Sequence, residues 1–279
     1  MTRNSFRGLF LKRLQTLYDS RESAALLRWY VQDRLGIPYH QFLLDGDDEM
    51  PGNVDYLSEL ERLSAGEPLQ YVVGFTEFCG LRFRTDARAL IPRPETEELV
   101  AAVVDENAGL SGLKVLDVGT GTGAIAVSLA ARLDHAAVAA CDISADALAL
   151  AAENARLNDV QVHFEQCDIL QCDCLSETYD IIISNPPYIP EKVRDTLHQN
   201  VVNFEPGIAL FVPDDQPLLF YEKIASLAMQ SLSPNGKLYF ETYEEYHPQL
   251  VAMLEGKGFS DVESRKDFYG RPRFVRATR

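Results

Sequence analysis

The stretch from residue 114 to residue 132 constrains this chain more than any other. Lys114-Val115-Leu116-Asp117-Val118 is a short apolar run of strand character, and residues 124–132 are rich in helix formers. Between them, Asp117-Val118-Gly119-Thr120-Gly121-Thr122-Gly123 sets glycines at alternate positions. Glycines in a strand-to-helix turn permit a tight bend. They also let a ligand approach the backbone N–H groups at the helix N-terminus. The alternation continues downstream. Strands are expected at 137–141, 160–164, 181–184, 236–241, 262–265 and 273–277, with helices at 145–157, 217–232 and 247–257. Such a pattern predicts an α/β domain over residues 96–279, built on a doubly wound, mostly parallel seven-stranded sheet.

The first 70 residues read differently. Apolar positions recur at spacings of three and four, as at Phe6, Leu9, Phe10 and Leu14, then Leu26, Leu27, Tyr30 and Val31. Breaks at Gly36–Pro38 and Met50–Gly52 divide this region into the short helices of a small all-α domain over residues 1–70. Residues 71–95 are expected to form a β-hairpin linker that ends in the rigid turn Ile91-Pro92-Arg93-Pro94-Glu95.

Net charge is −16, and its distribution is uneven. Residues 1–95 hold 12 basic and 14 acidic side chains, so residues 96–279 hold almost the whole excess. Duplex nucleic acid is bound mainly through phosphate neutralisation by Lys and Arg, so direct nucleic-acid binding is not expected. No uncharged apolar run approaches the ~18 residues that a membrane helix needs. Five cysteines, an odd number, point to reduced thiols in a cytoplasm, and a monomer is favoured. Their spacing and the scattered histidines suggest no metal site.

Two positions narrow the ligand. Asp142 closes the second strand of the α/β domain, where a carboxylate accepts both hydroxyls of a ribose. Gly119, Gly121 and Ala124 satisfy a dinucleotide fingerprint, and GxGxG spacing also occurs in folds that hold S-adenosylmethionine, so the loop alone leaves both open. Ser184-Asn185-Pro186-Pro187-Tyr188, at the end of the fourth strand, separates them. The tetrapeptide Asn185–Tyr188 holds no nucleophile, general base or metal ligand. It offers the Asn185 side-chain carbonyl, the Pro186 backbone carbonyl, Pro187 with its fixed φ, and the ring of Tyr188. That set suits a planar nitrogen carrying two hydrogens, gripped through both N–H bonds and aimed at an electrophile such as a sulfonium methyl. Asp168, after the third strand, is read either as a residue that meets an adenine edge or as a plain surface-loop acid.

These motifs together resemble the PrmC/HemK family of Class I methyltransferases. The matching residues are Gly66-Glu67-Pro68-Leu69-Gln70-Tyr71 followed by Gly74, Ile91-Pro92-Arg93-Pro94-Glu95-Thr96-Glu97, Asp117–Gly123, Ser184–Ile189, Glu205-Pro206 with Ala209-Leu210, and Lys266-Asp267 with Gly270. The resemblance implies methyl transfer from S-adenosylmethionine, giving S-adenosylhomocysteine without a metal. The acceptor would be the glutamine amide in the Gly-Gly-Gln loop of peptide-chain release factors, which supports translation termination. It also implies cofactor contacts from Gly119, Thr120, Gly121, Thr122, Gly123, Asp142, Asp168, Ile169 and Asn185. Catalytic roles would fall to Asn185, Pro186 and Tyr188, and substrate contacts to these with Pro187, Arg93 and Glu95. The helical domain would dock the release factor. Glu241-Thr242-Tyr243 departs from the family's glycine at this point, which leaves that loop's role open. The alternative is an adenine-N6 methyltransferase for DNA or RNA, which would use the same tetrapeptide on a flipped base. The acidic α/β half speaks against it.

Overall fold

In the computed structural model, residues 1–279 fold as two compact units. The first comprises residues 1–75 with 198–204, and the second residues 76–197 with 205–279.

The first unit is helical throughout. Its helices are α1 (Arg3–Leu14), α2 (Ser20–Trp29), α3 (Tyr39–Leu44), α4 (Tyr56–Ser64) and α5 (Leu69–Val73), joined from later in the chain by α9 (Gln199–Phe204). Thr2, Asp19 and Asp55 cap α1, α2 and α4 with side-chain oxygens on free backbone N–H groups. Phe6, Phe10, Leu14, Leu27, Tyr30, Phe42, Leu60 and Leu63 form the core. Glu59 is buried beside it, held by the Arg34 guanidinium at 2.8 and 2.9 Å and by the Tyr30 hydroxyl. The ring of His198 stacks on Tyr18 at 5.9 Å. Residues 71–73 do not start the hairpin, as their β-branched character predicted. Leu69, Tyr71, Val72 and Val73 are all buried in a short helix, and this packing overrides strand propensity until Gly74, at φ +80°, ends the turn.

The second unit opens with the hairpin of β1 (Phe75–Phe78) and β2 (Leu81–Arg84), followed by α6 (Pro94–Glu106). The alternating pattern then unfolds as β3 (Lys114–Val118), α7 (Ala124–Arg132), β4 (Ala137–Asp142), α8 (Ala145–Leu157), β5 (His163–Gln166) and β6 (Tyr179–Ser184). A short parallel pair, β7 (Ile189–Pro190) and β8 (Phe211–Val212), precedes α10 (Leu219–Ser231), β9 (Leu232–Glu241), α11 (His247–Gly256), β10 (Ser260–Lys266) and β11 (Pro272–Thr278). The main sheet has seven strands in the order β10-β11-β9-β6-β3-β4-β5, and only β11 runs against the rest. β5 begins three residues later than its apolar run predicted. Val160 N–H instead donates to the Ala155 carbonyl and, with Asp159 at φ +54°, closes the end of α8.

The central strands are buried on both faces. Val115, Ile181 and Ile183 pack against Leu99, Val103, Val127 and Leu129 of α6 and α7. Leu116, Ile182, Leu238 and Phe240 point the other way, onto Ile224, Leu227, Leu250 and Leu254 of α10 and α11. Strand order reverses between β3 and β6, so their carboxyl ends open a crevice there. No helix is long and apolar enough to cross a membrane.

Candidate active site

The turn after β3 is held from behind by a buried carboxylate. Asp117 Oδ2 accepts from the Thr120 hydroxyl at 2.6 Å and from Ala126 N–H at 3.2 Å, which locks the glycine turn onto the first turn of α7. Its other oxygen has no partner. Burial without an opposing cation pushes this acid up to about 7. Gly119, Gly121 and Gly123 all sit in the left-handed region, at φ +75°, +55° and +80°. Gly119 and Gly123 serve opposite ends of the turn. A Cβ on Gly119 would meet no protein atom within 4 Å, whereas one on Gly123 would lie 3.0 Å from the Ala151 Cβ of α8. The buried Asn154 of α8 reinforces that contact, since its Nδ2 donates to the Thr122 carbonyl at 2.9 Å and its Oδ1 accepts from Arg84 N–H.

Asp142, at the end of β4, accepts from Gly121 N–H at 2.9 Å and, through its other oxygen, from Ser144 N–H at 2.9 Å. Each oxygen keeps a second lone pair. Asp168 Oδ1 receives Leu170 N–H at 3.0 Å, so the chain turns back on itself after β5. Cys167 and Cys172 flank that turn and bring their sulfurs together across it, with their Cα atoms 7.3 Å apart, wider than an ordinary disulfide spans. The Asp168 turn reverses the chain between them, which a count of cysteines does not reveal.

Asn185 follows β6. The Ser184 hydroxyl ties this strand end to the Val118 carbonyl of β3 at 2.7 Å, and Ile189 N–H donates to the Leu210 carbonyl on the far side of the tetrapeptide. A cavity of about 310 Å³ lies at these strand ends, within the range of small-molecule sites. Its wall includes Gly119, Gly121, Asp142, Asp168, Ile169, Asn185, Pro186 and Pro187.

Six of the anticipated residues lie outside that wall. Thr120, Thr122 and Gly123 shape the turn from within. Arg93 and Glu95 do not pair with each other. Arg93 Nη2 instead reaches Glu205 Oε1 at 2.7 Å, while Glu205 Oε2 accepts from Ile91 N–H, so this buried acid fixes the proline turn. Tyr188 also stands behind the wall. Its ring stacks on Tyr243 at 5.9 Å and its hydroxyl turns toward Glu241 Oε1 at 3.4 Å.

Other wall residues carried no sequence signal. Arg88, Ala89 and Leu90 arrive from the loop after the hairpin, Ile143 and Leu170 from strand exits, and Phe220 and Ile224 from α10. Pro206, Ile208 and Ala209 also line it, and only Glu205-Pro206 and Ala209 had been marked by a motif.

Two family models match parts of this chain. One described as "Methyltransferase small domain" matches residues 95–204, and one described as "PrmC N-terminal domain" matches residues 10–74. Among solved structures, a methyltransferase from Pyrococcus furiosus is 19% identical with a TM-score of 0.52, covering 71% of this chain and 89% of that one. The 16S rRNA N2 G1207 methyltransferase of T. thermophilus, solved with AdoMet and guanosine, is 18% identical with a TM-score of 0.52, covering 74% of this chain and 49% of that one. These two share the fold. Nearer in sequence is a protein of Flavobacterium psychrophilum named release factor glutamine methyltransferase, 40% identical across 98% of this chain and 97% of its own length. A protein of the same name from Bacteroides thetaiotaomicron is 43% identical across 95% of this chain and 96% of its own. With such identity along nearly the entire sequence, and with the glycine turn, Asp142 and Asn185 gathered at one crevice, the chain belongs to the release factor glutamine methyltransferase family.

Proposed function

We propose that this chain methylates the side-chain amide nitrogen of the glutamine in the Gly-Gly-Gln loop of peptide-chain release factors, with S-adenosylmethionine as donor. The observation that carries the reading is Asn185 in the wall of the same cavity as Gly119 and Asp142. An amide-gripping side chain thus shares one space with a nucleoside-binding carboxylate.

The residues fit that donor. Gly119 leaves its backbone bare at the cavity, and Asp142 keeps a lone pair on each oxygen for the two ribose hydroxyls. Ile143, Ile169 and Leu170 offer apolar surface for adenine, with Asp168 beside them at its edge. When bound, S-adenosylmethionine supplies a methyl carbon on a positively charged sulfur, a group that leaves without acid assistance.

The chain's own task is then to present the acceptor. Asn185 donates through Nδ2 to Thr96 Oγ1 at 3.3 Å, so its Oδ1 is left as the acceptor for one substrate N–H. The Pro186 carbonyl takes the other. An amide nitrogen is a poor nucleophile because its lone pair is delocalised. Two accepted hydrogen bonds enrich it, and the proline-fixed backbone aims it, so catalysis is positioning and electrostatics. Once the N–C bond has formed and the C–S bond has broken, one of the two N–H protons is lost to solvent. Tyr188, braced by Tyr243, stands behind the wall next to Pro187 and steadies the tetrapeptide from there. Arg93 serves by holding Glu205 and the turn that leads into Glu95 and Thr96. The helical unit docks the body of the release factor. The test is mass spectrometry of a release factor incubated with enzyme and donor. The mass of one methylene gained on the Gly-Gly-Gln glutamine supports the reading, and an unmodified glutamine refutes it.

A further inference from the structure

Behind Asn185 lies a chain of hydrogen bonds that the methyl-transfer reading does not use. Glu241, at the end of β9, is 2% exposed. Its Oε2 accepts from the Thr96 hydroxyl at 2.6 Å, and Thr96 Oγ1 in turn accepts from Asn185 Nδ2 at 3.3 Å. Its Oε1 faces the Tyr188 hydroxyl at 3.4 Å. One carboxylate therefore contacts both polar arms of the site, the amide through Thr96 and the phenol directly.

We propose that Glu241 is a positioning residue that fixes which way round the Asn185 amide stands, acting through the Thr96 hydroxyl. A hydroxyl has one proton. With Glu241 ionised, that proton is committed to Oε2, so Thr96 can only accept from Asn185. The Nδ2 side is thereby turned to Thr96 and Oδ1 is presented to the substrate. A protonated Glu241 donates to Thr96 instead, which frees the hydroxyl proton for Asn185 Oδ1 and lets the amide turn over. Its NH2 would then face the NH2 of the acceptor, donor against donor.

The groups around Glu241 set when this happens. Glu95 approaches from α6, Arg273 from β11 and Tyr188 from the tetrapeptide, while the Tyr221 hydroxyl of α10 donates to the Glu241 main-chain carbonyl at 2.9 Å. Burial, the largest influence, outweighs the Thr96 hydrogen bond and the Arg273 charge and raises the carboxyl to about 7. Orientation control thus switches within the working pH range.

This inference rests on the methyl-transfer reading, and wild-type turnover on a release factor tests that reading first. Given turnover, Glu241→Gln, Thr96→Val and Thr96→Ser are compared with wild type between pH 6 and 9. Glu241→Gln and Thr96→Val are expected to lower kcat by roughly 10–100-fold, the effect of a misaimed reacting group, with donor affinity within about three-fold. Thr96→Ser, which keeps the hydroxyl, restores most of kcat. Wild type loses kcat below about pH 7, and Glu241→Gln loses that acid limb. The melting temperature of Glu241→Gln at pH 8 is expected to match or exceed that of wild type, which separates misorientation from unfolding. Wild-type kcat in Glu241→Gln, an unchanged acid limb, or a Thr96→Ser variant as slow as Thr96→Val would each overturn the assignment.

Discussion

Replacing Gly119 and Gly123 by alanine, one at a time, separates the two uses of the glycine turn. Both residues have positive φ, +75° and +80°, so either alanine carries the left-handed penalty of ~1–2 kcal/mol. Beyond that the sites diverge. At Gly123 the new Cβ would stand 3.0 Å from the Ala151 Cβ and 3.2 Å from its Cα, both on a buried helix. Overpacking of that kind costs about 1–3 kcal/mol more, giving a total loss of ~2–5 kcal/mol. At Gly119 the Cβ meets nothing within 4 Å, so the stability cost stays at the strain alone. The methyl there projects from the wall of the cavity. A single methyl group in a close-fitting pocket changes affinity by ~10–200-fold, and a loss of that size is expected for the donor. Melting shifts of roughly 2–4 °C per kcal/mol make the two variants distinguishable by calorimetry, and titration with S-adenosylhomocysteine reads the affinity. Gly119→Ala should melt only a few degrees low yet bind poorly. Gly123→Ala should melt well below it while its folded fraction binds nearer to wild type. The reverse pairing would refute the placement of the ligand against Gly119.

Asn185→Ala is expected to lower kcat by ~100–1,000-fold, the usual cost of deleting one group that stabilises developing charge, with donor affinity within a few-fold. Steady-state turnover beside calorimetric binding checks it, and near-normal turnover would remove Asn185 from the acceptor site. Asp142→Ala should act the other way. It loses two charge-assisted hydrogen bonds to a ribose, so donor affinity should fall at least ~100-fold by titration calorimetry, while kcat at saturating donor changes less. Asp117 gives a pH signature in stability. Its folded-state value is raised to about 7 from 3.8, so the folded protein binds that proton more tightly than the unfolded chain. The resulting stabilisation is complete below about pH 4 and disappears as pH rises through 7. Asp117→Asn, measured against wild type by urea unfolding at pH 5 and pH 8, should therefore compare more favourably at pH 8. An equal difference at both values would mean that Asp117 is not buried as an acid.

Much of the scaffold was legible before the structure, for reasons visible in particular residues. β3, α7 and α8 begin and end where their patterns predicted, because Gly123 and Ser144 mark helix starts and central strands buried on both faces read as continuous apolar runs. Local competition defeated the pattern elsewhere. Tyr71-Val72-Val73 has strand propensity but is buried as a helical turn, and Val160 has strand character but finishes α8. Neither outcome is encoded within a few residues of the site where it occurs.

The same distinction explains what could be read of the active site. Gly119, Asp142 and Asn185 each follow a strand, and in a doubly wound sheet strand exits converge, so three separate motifs imply one cavity. The supporting contacts have no such rule. Arg93 and Glu95 are near neighbours of opposite charge, an arrangement that invites an ion pair. Yet Glu95 lies in the first turn of α6, where an acidic side chain already meets the positive end of the helix dipole, while Arg93 precedes the helix and is free to turn away. Its partner is Glu205, 112 positions onward, whose carboxylate is 1% exposed and would be costly to bury without that guanidinium and the Ile91 N–H. Glu241 is the same case at the other end of the site. A sequence marks it only as the last residue of an apolar strand, and only the folded sheet brings it to Thr96, 145 positions earlier. The residues proposed to touch the ligand announce themselves through local backbone demands, whereas Glu205 and Glu241, which hold the surrounding turns and side chains in place, are defined by pairings across more than a hundred positions.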